Sequence, residues 1–291
     1  MKFLAIVATA GLFAGCIAEE TDSSVEQDST SELAPRHVHR VRDQASKAPR
    51  KNSGIQYHGG PVILGTTNVH YIYYGNWSST DRSILDNLAK SIGGSPYYNI
   101  NTTYYNGSSQ HVSSSVAQAS TASDNYSHGT SLSDADIQAI VAAQNPTDTN
   151  GIYFVLTSAD VNETSGFCTQ YCGWHTDATI GGRDIKYAFI GNPARCPSAC
   201  TNGTTAPNGS VGADGAASII AHELEEAVTD EDLNAWYDRR GEENADKCAW
   251  TFGSTYTTSN GGTANMNLGG RDYLIQQNWV NSGAGYCAKS Y

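Results

Sequence analysis

The chain has 291 residues with 17 basic and 29 acidic side chains, a formal net charge of −12. The charges before Gly54 cancel, so the whole excess sits on the remaining stretch of about 240 residues, enough for one large domain. Such an acidic body is a poor partner for nucleic acid or an anionic membrane surface.

The N-terminus opens with Met1-Lys2 and an apolar run through Ile17, the form of a secretory signal and too short for a spanning helix. It ends Leu12-Phe13-Ala14-Gly15-Cys16, as bacterial lipoprotein signals do. Residues 1–16 are therefore read as a signal segment, Cys16 as a lipid-anchored first residue, and the protein as an extracellular or cell-surface lipoprotein. Membrane contact is expected only through that lipid anchor. Residues 17–53 are acidic, then basic (Arg36, Arg40, Arg42, Lys47, Arg50, Lys51), and too polar to bury a core, so they read as a disordered tether or a pro-segment. Residues 54–291 form the globular domain, expected to be a monomer.

Along that domain, alternation suggests strands at 62–64 and 69–74, then a helix opened by Thr80 with Ile84, Leu85, Leu88 and Ile92 on one face. The stretch 95–127 is rich in Tyr, Asn and Ser, with one short strand expected near 102–105. A second helix follows the capping-box spacing of Ser131 and Asp134 and carries Ile137, Ile140 and Val141. Buried-strand runs occur at 151–157, 185–190 and 273–275. Strands alternating with helices give an α/β (α+β) class: a single domain with a mixed sheet, packed helices and disulfides. Asn-x-Ser/Thr sequons at Asn76, Asn101, Asn106, Asn125, Asn162, Asn202 and Asn208 are read as a by-product of polar loops.

Without Cys16, six cysteines remain, an even set suited to an oxidising compartment. The preferred pairing is Cys168–Cys172, Cys196–Cys200 and Cys248–Cys287, on the ground that residues four apart on a helical turn lie within bridging range. The two C-x-x-x-C pairs would also suit a four-thiolate zinc, which export disfavours.

The chemistry concentrates at 218–230, Ser-Ile-Ile-Ala-His-Glu-Leu-Glu-Glu-Ala-Val-Thr-Asp. Ile220, Leu224, Ala227 and Val228 fall on one helical stripe, while His222 and Glu226 stand one turn apart on a neighbouring face. Zinc metallopeptidase helices present two ligands in this way, with the residue after the first His as general base, here Glu223. The pattern is H-E-x-x-E. A carboxylate at the second ligand position tempers the ion's charge, so Zn²⁺ is expected with Ca²⁺ or Mn²⁺ as alternatives. Glu243 is the first choice for third ligand, with Asp230, Asp232 and Asp246 as alternatives. His175, beside a cysteine, is a candidate ligand or transition-state donor, whereas His58 and His70 read as structural. The competing reading of the acids is a solvated helix end. There is no G-x-S-x-G elbow and no phosphate-binding glycine loop after a strand.

Several segments together resemble the EXORDIUM or phosphate-induced protein family of plant cell-wall proteins and their microbial relatives. They are Tyr57-His58-Gly59-Gly60-Pro61-Val62, Val69-His70-Tyr71-Ile72-Tyr73-Tyr74-Gly75-Asn76-Trp77-Ser78, Cys172-Gly173-Trp174-His175, Cys196-Pro197-Ser198-Ala199-Cys200, Ile220-Ala221-His222-Glu223-Leu224, Asn234-Ala235-Trp236-Tyr237 and Asp246-Lys247-Cys248. The chain departs at Thr229-Asp230-Glu231, where plant members tend to have a Ser/Thr-Asn-Pro stretch. The resemblance implies an extracellular, growth-associated protein with no established enzymatic activity. The residues suggest a zincin-like metallohydrolase, a peptidase acting on a protein or peptide substrate through an ion-activated water: His222, Glu226 and Glu243 on the ion, Glu223 and His175 catalytic. The alternative is a non-enzymatic cell-surface or cell-wall binding or signalling protein, with the Tyr-rich stretch meeting a cell-surface glycan.

Overall fold

A six-stranded sheet runs through the computed structural model, which describes residues 36–45, 54–203 and 206–291. Its strands are β1 (His37–Arg40), β2 (Thr67–Tyr74), β3 (Val116–Asp124), β4 (Gly151–Thr157), β5 (Tyr171–Ile180) and β6 (Arg183–Ile190), in spatial order β1-β5-β6-β4-β2-β3. β6, β4, β2 and β3 are mutually parallel; β5 runs antiparallel to β6, and β1 antiparallel to β5. The class is mixed α/β, as expected. β4 is buried along its whole length, which explains its uninterrupted apolar sequence Gly-Ile-Tyr-Phe-Val-Leu-Thr. β3 lies at the far edge, half exposed and built from Ala, Ser, Thr and Gln, so hydrophobic alternation does not mark it.

Three helices of useful length accompany the sheet: α1 (Ser79–Ser91), α2 (Asp134–Ala143) and α3 (Val211–Thr229). α1 begins one cap earlier than expected, because Ser78 accepts the amide of Asp81. α2 carries the capping box on Ser133 and Asp136 rather than on Ser131 and Asp134. Residues 62–64 are not a strand, and the expected strand near 102–105 is replaced by the 3₁₀ turn Tyr98–Thr103. Tyr97, Tyr98 and Tyr104 of that stretch are core residues. Among the described residues no helix is long and apolar enough to cross a membrane.

α3 is the central helix: only Val211, Gly215 and Ser218 escape full burial. It presses on β5 at Gly173, where a Cβ would come within 2.6 Å of Ile219 Cγ2 and 2.9 Å of the Phe189 carbonyl oxygen. Only a glycine allows the helix this close. The solvated helix end considered for its acids is thereby excluded, since Glu223, Glu225 and Glu226 are all 0% exposed.

Two expectations are corrected. Residues 36–45, assigned to a tether or pro-segment, are no tether: β1 pairs His37 with His175, Val38 with Trp174 and His39 with Gly173, closing the edge that β5 would leave open. The basic side chains explain the docking onto an acidic body. Arg36 pairs with Asp134 and lies over Tyr171 and Trp174, Arg40 bonds Glu242 at 2.7 Å, and Arg42 donates to the Thr201 carbonyl at 3.2 Å. The signal segment, Cys16 and the remainder of 17–53 lie outside the described residues.

The disulfides are Cys168–Cys196, Cys172–Cys200 and Cys248–Cys287; only the last was expected. Cys168 sits in a turn with φ 71° and Cys172 in β5, so that pair does not share a helical turn. Cys196 and Cys200 flank the one-turn helix Pro197–Cys200 and face the first pair, giving two parallel rungs between the start of β5 and the loop after β6.

Candidate metal centre

The last two turns of α3 point His222, Glu223 and Glu226 toward the closed edge of the sheet, where three other segments meet them. β5 contributes His175, β1 contributes His37 and His39, and the stretch before the Cys248–Cys287 bridge contributes Glu243 and Asp246. His222 Nε2 lies 3.0 Å from Glu226 Oε1 and 3.6 Å from Asp246 Oδ1. His175 Nδ1 lies 3.1 Å from Glu223 Oε2 and 3.6 Å from Glu226 Oε2, while its Nε2 is 3.5 Å from Glu243 Oε2. His37 Nδ1 is 3.2 Å from Asp246 Oδ2, 3.7 Å from Glu226 Oε2 and 3.9 Å from Glu243 Oε2.

The expected ligand set is therefore divided. Glu226 is common to three groups able to hold an ion: with His222 and Asp246, with His175 and Glu223, and with His37 and Glu243. Asp246, an alternative at the sequence level, joins His222, and Glu243 lies on the other side of Glu226. Asp230 accepts the Asn234 and Ala235 amides, and Asp232 turns away with Asp177 and Asp184 to surround the Lys186 ammonium, which offsets their charge.

Acids dominate the centre: burial would lower the His37 imidazole, but Glu243 and Asp246 raise it well above its ordinary value. The buried atoms His222 Nε2, His175 Nε2, His37 Nδ1, Glu226 Oε2, Glu243 Oε2 and Asp246 Oδ2 have no hydrogen-bond partner. Uncompensated buried charges cost several kcal/mol each, and these acids stand at the C-terminal half of α3, where the helix dipole also opposes them. The protonation equilibria record the strain. Burial, then the neighbouring Glu226 and Asp246, pushes the Glu223 carboxyl well above its usual value, and burial raises Glu243 likewise. Glu226 goes the other way: burial would raise it, but His222 and His37 hold it well below. Burial takes the His175 imidazole down to about 3, so it stays neutral, as a ligand must. A cation is the group that fits this donor set of imidazole nitrogens and carboxylate oxygens.

His222 is oriented from behind. Its Nδ1 faces His39 Nδ1 at 2.8 Å and the Gln276 amide at 2.5 Å. For Nε2 to bind a cation, Nδ1 must carry the proton; His39, which burial and His222 hold well below the ordinary value, is a neutral acceptor for it, and the Gln276 amide nitrogen, a donor as placed, must then turn away from Nδ1. Beside His39 a shallow cleft is lined by Pro207, Val211, Ile219, Trp250 and Phe252.

His37 and His39 were not among the site residues read from the sequence. The signal was the alternation His-Val-His, which on a strand places both rings on one face. It lay in a segment whose composition argued against order.

A model of the phosphate-induced protein 1 conserved region matches residues 55–281. Among curated proteins the chain is 32% identical over 288 residues to "Protein EXORDIUM-like 3" of Arabidopsis thaliana, covering 81% of this chain and 85% of the relative. It is also 32% identical over 296 residues to "Protein EXORDIUM-like 5" of the same plant, covering 85% and 81%, and 28% identical over 224 residues to "Protein PHOSPHATE-INDUCED 1" of Nicotiana tabacum, covering 67% and 70%. No solved structure matches the chain. Three disulfides, which persist in oxidising compartments, agree with an extracellular or secreted protein. By the extent of the matched region and the likeness to these relatives, the chain belongs to the phosphate-induced protein 1, or EXORDIUM, family.

Proposed function

We propose that the chain is a non-enzymatic extracellular binding or signalling protein whose domain is organised round a buried metal centre, structural in the form described. The enclosure of the H-E-x-x-E turn carries this reading. His222, Glu223 and Glu226 are 0% exposed, and β1 lays His37 and His39 over them. A hydrolytic ion needs a coordination position open to substrate; a closed set of protein ligands is the mark of a structural one. Zn²⁺ suits the imidazoles, and the number of carboxylates leaves Mn²⁺ or Ca²⁺ as alternatives. For a partner, a cell-surface glycan suits Tyr105, exposed at 37% with its ring 5.0 Å from Trp236 and 6.4 Å from Tyr57. A lipid anchor at Cys16 would keep the domain at the cell surface.

The second reading is a zincin-like metallohydrolase, a peptidase held latent beneath β1. It is favoured by Glu223, whose raised pKa and 3.1 Å contact with the neutral His175 ring suit a general base. The bound ion would supply Lewis acidity; Glu223 would take and return the proton, and His175 would orient it. A peptide side chain would find room in the cleft lined by Ile219 and Trp250.

Elemental analysis of the purified full chain, paired with a cleavage assay on denatured protein substrates, separates the readings. Stoichiometric metal with no cleavage supports the structural centre. Cleavage abolished by Glu223→Gln with metal retained supports the hydrolase, and metal-free protein whose thermal stability ignores chelator and added ions removes both.

A further inference from the structure

The two oxygens of one carboxylate look into different ligand sets. Glu226 Oε1 faces His222 Nε2 at 3.0 Å on the side where Asp246 Oδ1 stands 3.6 Å from the same nitrogen. Glu226 Oε2 faces His37 Nδ1 at 3.7 Å, and Glu243 Oε2 lies 3.9 Å from that nitrogen and 3.5 Å from His175 Nε2; the other oxygen of Asp246, Oδ2, reaches across to within 3.2 Å of His37 Nδ1. Ligand atoms bound at about 2.1 Å to a tetrahedral ion stand roughly 3.4 Å from one another, and the separations on both sides scatter round that spacing. Each side also holds a fully buried nitrogen with no hydrogen-bond partner, His222 Nε2 on one and His175 Nε2 on the other.

Glu223, Glu226, Glu243 and Asp246 are all buried at this point, and each belongs to at least one group able to hold an ion.

We propose that the centre holds two divalent cations bridged by the Glu226 carboxylate, one on His222 and Asp246 and the other on His175, Glu243 and His37, so that the second ion clasps the N-terminal strand to the sheet. The inference rests on the reading of this cluster as a metal centre and extends it in number and in consequence. β1 is otherwise held by short strand pairing, by the ion pair of Arg40 with Glu242 and by the hydrogen bonds of His39 to His222 and of His37 to the Gly241 carbonyl. A ligand bond from His37 makes its docking depend on the metal.

The test is made on the full chain, stripped with chelator and reloaded with Zn²⁺ or Mn²⁺. Elemental analysis after gel filtration is expected to give two ions per chain. His37→Ala and Asp246→Asn are each expected to keep one, and Glu226→Gln to lose both. The Mn²⁺-loaded wild type is expected to give the electron paramagnetic resonance of a spin-coupled pair, which needs no variant to fold. Trypsin is expected to cut after Arg40 or Arg42 at least about tenfold faster in the stripped protein and in His37→Ala than in the loaded wild type, following local release of the strand. One ion per chain with an uncoupled Mn²⁺ signal overturns the pair while leaving the metal centre intact. Two ions with unchanged proteolysis and full occupancy in His37→Ala overturn the clasp. No bound ion overturns this inference together with the reading beneath it.

Discussion

His39 and His222 meet through their Nδ1 atoms at 2.8 Å although 183 positions separate them in the chain. The contact makes the N-terminal strand part of the centre's supporting shell, because a ring that must offer Nε2 to a cation needs an acceptor behind Nδ1. His39→Phe keeps a ring in the same space and removes the acceptor. It is expected to weaken metal binding about 10–100-fold, read as the free ion concentration at half loading, with little change in the disulfide map.

Glu225 and Glu226 are adjacent, equally buried and opposite in character. Burial pushes Glu225 well above the usual carboxyl range despite its bonds to Asn278 and Asn101, which favours its neutral form. Glu225→Gln replaces one neutral hydrogen-bonding group by another and is expected to shift stability by less than about 1 kcal/mol. Glu226→Gln removes a carboxylate held ionised by His222 and His37, and is expected to abolish tight metal binding and lower the melting temperature. Denaturation and metal titration of the two variants side by side check the contrast.

The acidic approach to α3 was legible in the sequence; its depth was not. The H-E-x-x-E spacing identifies the turn, and the periodicity of Ile220, Leu224, Ala227 and Val228 identifies one buried face. Burial of the other face depends on β1, β5 and the Glu243–Asp246 stretch, whose arrival no local pattern encodes. The same applies to the cysteines: an i, i+4 spacing holds for both pairs, yet the turn at Cys168 and the strand at Cys172 send their bonds across to Cys196 and Cys200. β3 escaped because an edge strand has no need of an apolar face, and β5 because Gly173 and His175 face the buried acids of α3 instead of extending an apolar pattern.

Glu231 gives a pH signature apart from the proposed metal ligands. Burial, against the pull of Lys186 3.3 Å away, raises its carboxyl from 4.5 to about 7. The folded pKa stands above the unfolded one, so the proton favours the folded state: the contribution is full below about 4.5 and is lost as pH rises through 7. It amounts to roughly 3 kcal/mol. Stability of wild type relative to Glu231→Gln, from denaturant melts between pH 4 and 8, is expected to fall over that window; a flat difference would refute it.

Cys248–Cys287 spans 39 positions and anchors the short turn Asp246–Cys248. The Cys248→Ser, Cys287→Ser double variant is expected to lose about 4 kcal/mol by the loop-entropy relation, and to bind metal more weakly because Asp246 is no longer held against His222. Peptide mapping without reduction is expected to return Cys168 with Cys196 and Cys172 with Cys200.

Gly173 is the third support. Gly173→Ala drives a methyl group into Ile219 and toward Glu223 Oε1, which lies 3.1 Å from the added atom, and is expected to cost about 1–3 kcal/mol and displace the H-E-x-x-E turn. Thermal melts with and without added ion check both effects.

The closing of the sheet by β1 also sets a timetable. β1 is made before every other strand of the sheet, but its neighbour β5 and the Gly241 carbonyl that accepts from its His37 ring come much later in the chain. Until they arrive, β1 is an unpaired extended segment open to any passing chain, so the growing protein is most exposed to misassembly before this first strand of the sheet is seated.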